Sequence, residues 1–323
     1  MEIAKFPIYQ LENRSEVEID DEEDGRFYKY WTHETNLGRC LFKAAFPYGD
    51  NPKQHRMDWR EKVSCELGQL LGLPMARTEL ASICVANSDT WLPGSISIDY
   101  TPNNCKVISI RDFLSQADPS YDSAYSESFE DGYNVSNVMF YLHQNSVGLP
   151  LGWDGIEGIA DGADLLVGYL LLDAWLGATD RHDENLEIAI SASGYSLCPT
   201  FDHGDCLGSK LAQEEQQFGN FTDSRLMESC WWETQIIDER SETVEITTTR
   251  ALEIAVNIRP SAAAIWLERL RQINLDRVVD IFSRIPDDLM MINEIRFSIE
   301  LLESNRQNIF NLKLRSSDLA NDN

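Results

Sequence analysis

The chain has 323 residues, 43% of them hydrophobic and 25% charged, which is enough for two lobes that share a cleft and a buried core. Its formal net charge of −27 comes from 54 acidic and 27 basic residues, so its surface repels nucleic-acid backbones and anionic membranes. This charge argues against direct binding to either, and it serves solubility or attracts a basic protein partner.

Residues 1–24 form an acidic segment ahead of the predicted fold. The run from Glu16 to Asp24 is typical of a solvated loop, and the first 20 residues lack the basic start and apolar run of a signal peptide. The seven cysteines contain no C-x-x-C pair, as expected for free thiols in a reducing compartment. We therefore predict a cytoplasmic protein.

Residues 25–105 are predicted to form a small β-rich lobe with one main helix. The helix spans Met57–Leu71, because Trp59, Val63 and Leu67 recur at helical spacing and Gly72 ends the pattern. The predicted strands around it are Phe27–Thr32, Cys40–Ala45, Glu79–Ala86 and Ser95–Tyr100.

Residues 106–323 are predicted to form a mostly helical second lobe. Asn103–Ile108 is interpreted as the crossover between the lobes, a helix begins at Arg111, and Ala117–Asn134 is predicted to be a loop. The stretch Ala163–Ala178 is apolar on nearly every side, which is typical of a buried central helix, and it is too short to span a bilayer. The residue pattern from about Ala251 to Leu312 predicts helices, with breaks at Pro260 and Pro286.

The stretch from 177 to 208 carries the strongest chemical signal. Asp180 lies in a loop after the buried helix, Asn185 follows five residues later, and a predicted hairpin then leads to Asp202-His203-Gly204. Phosphoryl transfer in protein kinases uses an aspartate to orient the attacking hydroxyl, and an asparagine and an aspartate to hold magnesium on the phosphates. The order and spacing therefore predict Asp180 as the catalytic residue, and Asn185 and Asp202 as the metal ligands.

A kinase site also needs a cation on the nucleotide phosphates. Lys43 lies on a predicted strand directly before the first helix, which is the position of the kinase strand lysine that pairs with a helix glutamate. Two glutamates of the helix, Glu61 and Glu66, are candidates for that pair. A helical wheel places Glu66 at the border of the apolar stripe and Glu61 away from it.

At these residues the chain resembles the HipA-like serine/threonine kinases, over about 25 to 311. The likeness is carried by LFK ending at Lys43, WREKVSCELGQLLGLP at 59–74, DRHDEN at 180–185 and LCPTFDHGDCLG at 197–208. It implies an α+β, two-lobed, protein-kinase-like fold that uses ATP and Mg²⁺. It implies the same roles for Asp180, Asn185, Asp202 and Lys43, and its spacing selects Glu61 as the helix glutamate.

The chain also departs from that family. HipA toxins carry a further N-terminal subdomain that the sequence ahead of Lys43 is too short to hold, and their autophosphorylated phosphate-loop serine has no counterpart here. No G-x-G-x-x-G is present, so either Gly25 or Gly38 could serve the phosphates. Substrate, regulation and any antitoxin-like partner are therefore not defined by the resemblance.

Several functions are compatible with these residues. The leading hypothesis is a HipA-like protein serine/threonine kinase that acts on a protein substrate. The alternatives are a small-molecule kinase, a pseudokinase that serves as an interaction module, and a kinase fold that transfers AMP. His182 and His203 are expected to brace the site, Trp231-Trp232 to be core or a docking ledge, and Asp183 and Glu184 to be solvated loop charges.

Overall fold

The computed structural model describes residues 3–11, 18–19, 28–34, 36–45, 56–84, 91–117, 121, 133–211, 215–216, 221, 223–237 and 240–312. Its strands are β1 (Ile8–Leu11), β2 (Glu18–Ile19), β3 (Lys29–Glu34), β4 (Gly38–Ala44), β5 (Thr78–Cys84), β6 (Trp91–Ile98), β7 (Lys106–Ser109), β8 (Glu187–Ser191), β9 (Gly194–Leu197), β10 (Glu228–Ile237) and β11 (Arg240–Thr247). Its helices are α1 (Asp58–Leu71), α2 (Ile110–Ala117), α3 (Val135–Gln144), α4 (Gly162–Leu176), α5 (Thr248–Ile258), α6 (Pro260–Gln272), α7 (Leu275–Ser283) and α8 (Ile292–Phe310).

The first lobe is built on a six-stranded sheet with the order β1-β5-β6-β4-β3-β2. Strand β1 pairs with β5 in parallel, and the other neighbours are antiparallel. Along β4 the side chains of Cys40, Phe42 and Ala44 are buried, whereas Lys43 between them is only partly buried. Because successive side chains of a strand point to opposite faces, Lys43 lies on the face opposite Phe42, where it meets helix α1.

The sheet includes residues from the segment that was predicted to precede the fold. Strand β1 lies within residues 1–24, Leu11 at its end is buried, and Phe6 just before it is also buried. Burying these apolar side chains is favourable, and this outweighs the acidic character of the segment as a whole. Within the run predicted from Glu16 to Asp24, Glu18–Ile19 forms β2, and the other residues of the run fall outside the described residues.

The residues ahead of β1 tie the first lobe to the second. The amide of Phe6 donates to the carbonyl of Arg284 (2.6 Å), and Lys5 Nζ donates to the carbonyl of Ile285 (3.0 Å) and to Asp287 (2.6 Å). The Phe6 ring also packs under the Arg284 guanidinium, with 4.2 Å from Cζ to the ring centroid. The amino-terminal segment therefore connects the sheet to the end of α7.

Helix α1 is buried on almost every side. It packs against β5 and β6 in the first lobe and against α6 and α7 in the second. Even Arg60, Glu61 and Lys62 are buried, so the helical wheel that placed Glu61 toward solvent was misleading. A helical wheel identifies the buried side of a helix that packs on one face only, whereas α1 packs on two faces. Gly72, at φ +84°, ends the helix in the left-handed conformation.

The second lobe is organised around α4, whose residues are all buried except Asp164. The helix begins at its N-cap Asp161, which accepts a hydrogen bond from the Asp164 amide (2.9 Å), and ends at Gly177 with φ +62°. Helices α3, α5, α6 and α8 surround it. None of the helices in the described part of the chain is long and apolar enough to cross a membrane.

Four elements of the second lobe were not predicted. The expected crossover contains β7, which pairs with β8 in the three-stranded sheet β7-β8-β9. Helix α3 follows the stretch 117–134, most of which lies outside the described residues. Strands β10 and β11 form an antiparallel hairpin, from which Trp231 is buried and stacks on Tyr133 with a 4.0 Å centroid separation.

Candidate active site

The predicted lysine, helix glutamate and second aspartate meet between the lobes. Lys43 Nζ lies 3.4 Å from Glu61 Oε1 and forms a short contact with Asp202 Oδ1. The other carboxylate oxygen of Glu61 accepts a hydrogen bond from the His203 amide (2.9 Å). Glu61 therefore joins the lysine of β4 to the backbone of the Asp-His-Gly turn, and α1 positions both contacts.

Glu66 has a different set of partners. Its carboxylate pairs with Lys62 at 2.7 Å, four residues earlier on the same helix, and lies 3.9 Å from Arg284. Lys62 also pairs with Glu79 on β5 (2.8 Å). This cluster packs α1 against the sheet and α7, and it does not include Lys43.

The backbone around Asp202 is shaped for close approach. Asp202 has φ +54°, a left-handed conformation that non-glycine residues seldom adopt and that is concentrated at functional sites. A Cβ atom at Gly204 would lie 3.0 Å from Glu61 Oε1 and 3.1 Å from the side chain of Met57. The glycine of the Asp-x-Gly motif thus allows the turn to pack directly on α1.

The loop between Asp180 and Asn185 is held by hydrogen bonds within itself. The side-chain nitrogen of Asn185 donates to the Asp180 carbonyl (2.6 Å), and the Asn185 amide donates to the His182 carbonyl (3.0 Å). The Asn185 carbonyl accepts from Arg181 Nη1 (2.9 Å). These bonds fix the asparagine and the aspartate in one loop conformation.

A buried ion pair fastens this loop to α4. Arg181 donates to both carboxylate oxygens of Asp173, at 2.9 and 2.7 Å, and both side chains are almost fully buried. Arg181 also lies 3.3 Å from His203 Nδ1, while His203 Nε2 lies 3.0 Å from the Thr200 hydroxyl. Burial and the adjacent guanidinium hold the pKa of His203 well below its usual value, so the neutral ring accepts from Arg181 and donates to Thr200.

The two aspartates of the site differ in their electrostatics. Burial raises the pKa of the Asp180 carboxyl, and the nearby Asp202 and Asp205 carboxylates raise it further. Burial alone would raise the pKa of Asp202 as well, but the ammonium groups of Lys43 and Lys29 more than offset it and lower that pKa well below the usual value. The surrounding charges thus favour the ionised form of Asp202, while the pKa of Asp180 is moved upward, the direction that suits a general base.

The oxygen atoms available here fit magnesium. The two adjacent lysines favour an ionised Asp202 carboxylate, and the side-chain oxygen of Asn185 accepts no hydrogen bond from the residues that the structure describes. Among those residues, no group of three or more His, Cys, Asp or Glu side chains could hold a metal ion by itself. Magnesium commonly binds through one or two carboxylates together with phosphate oxygens, so this donor set suits an ion that arrives with a nucleotide.

Sequence reasoning missed several neighbours of these residues. Asp183 was expected to be a solvated charge, but it is largely buried, because Arg111 of α2 forms two hydrogen bonds to it (3.0 and 2.7 Å) and Tyr121 a third (2.7 Å). Glu184 remains about half exposed, although it also pairs with Arg111 (2.6 Å). The sulfur of Cys230, on β10, lies 4.0 Å from Asp180 Oδ1. These contacts join residues that are far apart in the sequence. The only sequence feature that pointed to them was the polar character of the loop.

The Glu61–Lys43 contact can be tested against Glu66 on the same helix. We expect Glu61→Gln to slow phosphotransfer by about 10-fold or more, because Lys43 loses a charged hydrogen bond that orients it toward the nucleotide phosphates. Glu66→Gln, the matched control, should leave the rate within about twofold and affect mainly thermal stability. Rates are compared with γ-labelled ATP. A larger rate loss in Glu66→Gln would reverse the assignment.

Solved structures of other proteins share this architecture. The amino-acid sequence matches no family model and no curated protein. Among solved structures, the proinflammatory kinase CtkA of Helicobacter pylori aligns with a TM-score of 0.64 and 16% identity, over 95% of this chain and 97% of that one. HipA of Shewanella oneidensis MR-1, solved with HipB and operator DNA, aligns with a TM-score of 0.50 and 11% identity.

The HipA alignment covers 88% of this chain but 63% of HipA, so the chain spans less than two thirds of that protein. The CtkA alignment extends over nearly the whole of both chains. At sequence identities this low, the alignments show a similarity of fold only. The α+β, two-lobed arrangement and the resemblance to HipA-like kinases are thereby confirmed at that level: the chain has a kinase-like fold, shared with CtkA and HipA.

Proposed function

We propose that this chain is an ATP- and magnesium-dependent phosphotransferase, and specifically a HipA-like protein serine/threonine kinase. The observation that carries the proposal is the contact of Lys43 with both Glu61 and Asp202. An active protein kinase requires its strand lysine paired with the helix glutamate and its metal-binding aspartate in place. A purely structural ion pair would not also require the Asp180–Asn185 loop beside it.

In this proposal each residue has a distinct task. Lys43 contacts the nucleotide phosphates and Glu61 keeps it aimed at them. Asn185 and Asp202 would hold the magnesium ion, which neutralises charge that develops on the transferred phosphoryl group. Asp180 orients the acceptor hydroxyl and takes its proton as the oxygen bonds to the γ-phosphorus, and ADP leaves as the bond to the β-phosphate oxygen breaks.

The electrostatics of Asp180 support its role as the base. Its pKa is raised by burial and by the carboxylates of Asp202 and Asp205, which brings it closer to the working pH than a solvated aspartate. Hydroxyl acceptors such as serine and threonine are the substrates on which such a group acts. The sulfur of Cys230 lies 4.0 Å from Asp180 Oδ1, so Cys230 and the strand β10 that carries it would border the bound acceptor.

The proposed division of the chain places the nucleotide between a lobe that ends near residue 105 and a helical lobe of residues 106–323. Strand β7 begins at Lys106 and pairs with β8, which supports a boundary at this point. A net charge of −27 favours a basic protein as substrate or partner. All seven cysteines are free, which supports a cytoplasmic location.

The proposal is tested by following labelled ATP in a soluble cell extract. The purified protein and magnesium are incubated with γ-labelled ATP, and in parallel with α-labelled ATP. Label from the γ-position on serine or threonine residues of proteins is the expected result. Label in small molecules only would indicate a small-molecule kinase, label from the α-position would indicate AMP transfer, and binding without transfer would indicate a pseudokinase. Each of these outcomes overturns the proposed activity.

A further inference from the structure

A second lysine of the sheet lies beside Lys43. In the antiparallel pair β3–β4, Lys29 is directly opposite Lys43. Residues opposite each other in such a pair place their side chains on the same face, with Cβ atoms about 4.5–5.5 Å apart. Lys29 therefore presents its ammonium group on the face of the sheet where Lys43 meets Glu61 and Asp202.

Two like charges directly opposite in a sheet are unfavourable unless anions compensate them. Lys43 has Glu61 and Asp202 as direct partners. Because of its register with Lys43, Lys29 lies on the face of the sheet where Lys43 contacts Asp202.

A bound nucleotide adds negative charge at this point, since ATP with one magnesium ion keeps about two negative charges. Lys43 already contacts two acidic side chains, Glu61 and Asp202. Two lysines on one face of the sheet offset the phosphate charge better than one.

We propose that Lys29 is a second phosphate-contacting cation, which shares the nucleotide phosphates with Lys43. This inference rests on the proposed function, because it requires that a nucleotide occupies the cleft. It adds a residue from β3 to a site otherwise assembled from β4, α1 and the loops that follow α4 and β9. The contact of Lys29 would depend on the charge of the phosphates and not on the identity of the base.

The test is the affinity of the purified full-length chain for ATP with magnesium, and for adenosine, measured by calorimetry. Lys29→Met keeps the aliphatic stem and removes the charge. We expect it to weaken ATP binding by about 10-fold, the size of one charged hydrogen bond, and to change adenosine binding by less than about twofold. Lys29→Arg should retain most of the ATP affinity. Lys106→Met, an exposed lysine of β7, is the matched control and should match the wild type.

The outcomes separate this inference from the function on which it rests. If the wild type binds ATP and Lys29→Met binds it equally well, Lys29 is not a phosphate contact and the inference is wrong. Equal losses for ATP and adenosine would also overturn it, because they would show a general disturbance of the cleft. If Lys29→Met does not fold, Lys29→Gln is judged by the same criteria. A wild type that binds no nucleotide would contradict the proposed function itself.

Discussion

Asp180→Asn should reduce phosphotransfer at least about 100-fold, the low end of what a positioned acid–base residue contributes. Asparagine keeps the shape of the side chain but cannot accept the proton of the acceptor hydroxyl. The backbone carbonyl of Asp180, which accepts the hydrogen bond from Asn185, is unchanged, so the loop should keep its conformation. The rate is measured as transfer from γ-labelled ATP to the acceptor identified in the extract.

Two controls make this result specific. Asp154→Asn changes an exposed aspartate of the same lobe, and its rate should equal that of the wild type. ATP affinity and thermal unfolding of Asp180→Asn should stay close to wild-type values, because the carboxylate is assigned to chemistry and not to holding nucleotide or fold. Near-normal turnover by a folded Asp180→Asn protein would remove Asp180 from the catalytic role.

Asp173→Ala should lower the free energy of unfolding by about 3–5 kcal/mol, because it strands the Arg181 guanidinium without its partner in the interior. Both side chains are about 3% exposed, so water cannot replace the lost hydrogen bonds. Activity should also fall, since Arg181 connects α4 to the carbonyl of Asn185. Urea titration of the purified variant measures the change in stability.

The matched control removes an ion pair of similar length on the surface. Glu268 and Arg271 lie 2.5 Å apart on α6, but their side chains are 50% and 62% exposed. Glu268→Ala should therefore lower the free energy of unfolding far less than Asp173→Ala does, as is usual for solvated pairs. If Asp173→Ala is no more destabilising than Glu268→Ala, the buried pair is not what anchors the loop from Asp180 to Asn185.

Much of the architecture could be predicted because its signals are local. Helix α4 is apolar on nearly every side and ends at Gly177, and helix α1 has both a spaced apolar pattern and a glycine stop at Gly72. The order of Asp180, Asn185 and Asp202 along the chain is also a local signal, since a hairpin is all that separates the loop from the Asp-x-Gly turn.

The features that could not be predicted depend on contacts between residues that are far apart in the sequence. The opposition of Lys29 and Lys43 is set by strand register, which a single sequence does not specify. Asp183 is buried by a salt bridge to Arg111, 72 positions away. The hairpin β10–β11 was missed because the apolar residues of β10 come in adjacent runs and do not alternate with polar ones, and β11 has only Val244 and Ile246 as apolar residues. Glu61 shows the same limit, because the wheel could not show that α1 is packed between two lobes.

The most direct measurement of the central claim is ATP binding by calorimetry, with and without magnesium, for the wild type and Asp202→Ala. We expect magnesium to strengthen ATP binding to the wild type, and this gain to be lost in Asp202→Ala, because no neighbouring amide or hydroxyl replaces the charge of the carboxylate on the metal. An equal magnesium-dependent gain in both proteins would show that another carboxylate holds the metal. A wild type that binds no ATP in either condition would contradict the nucleotide site as a whole.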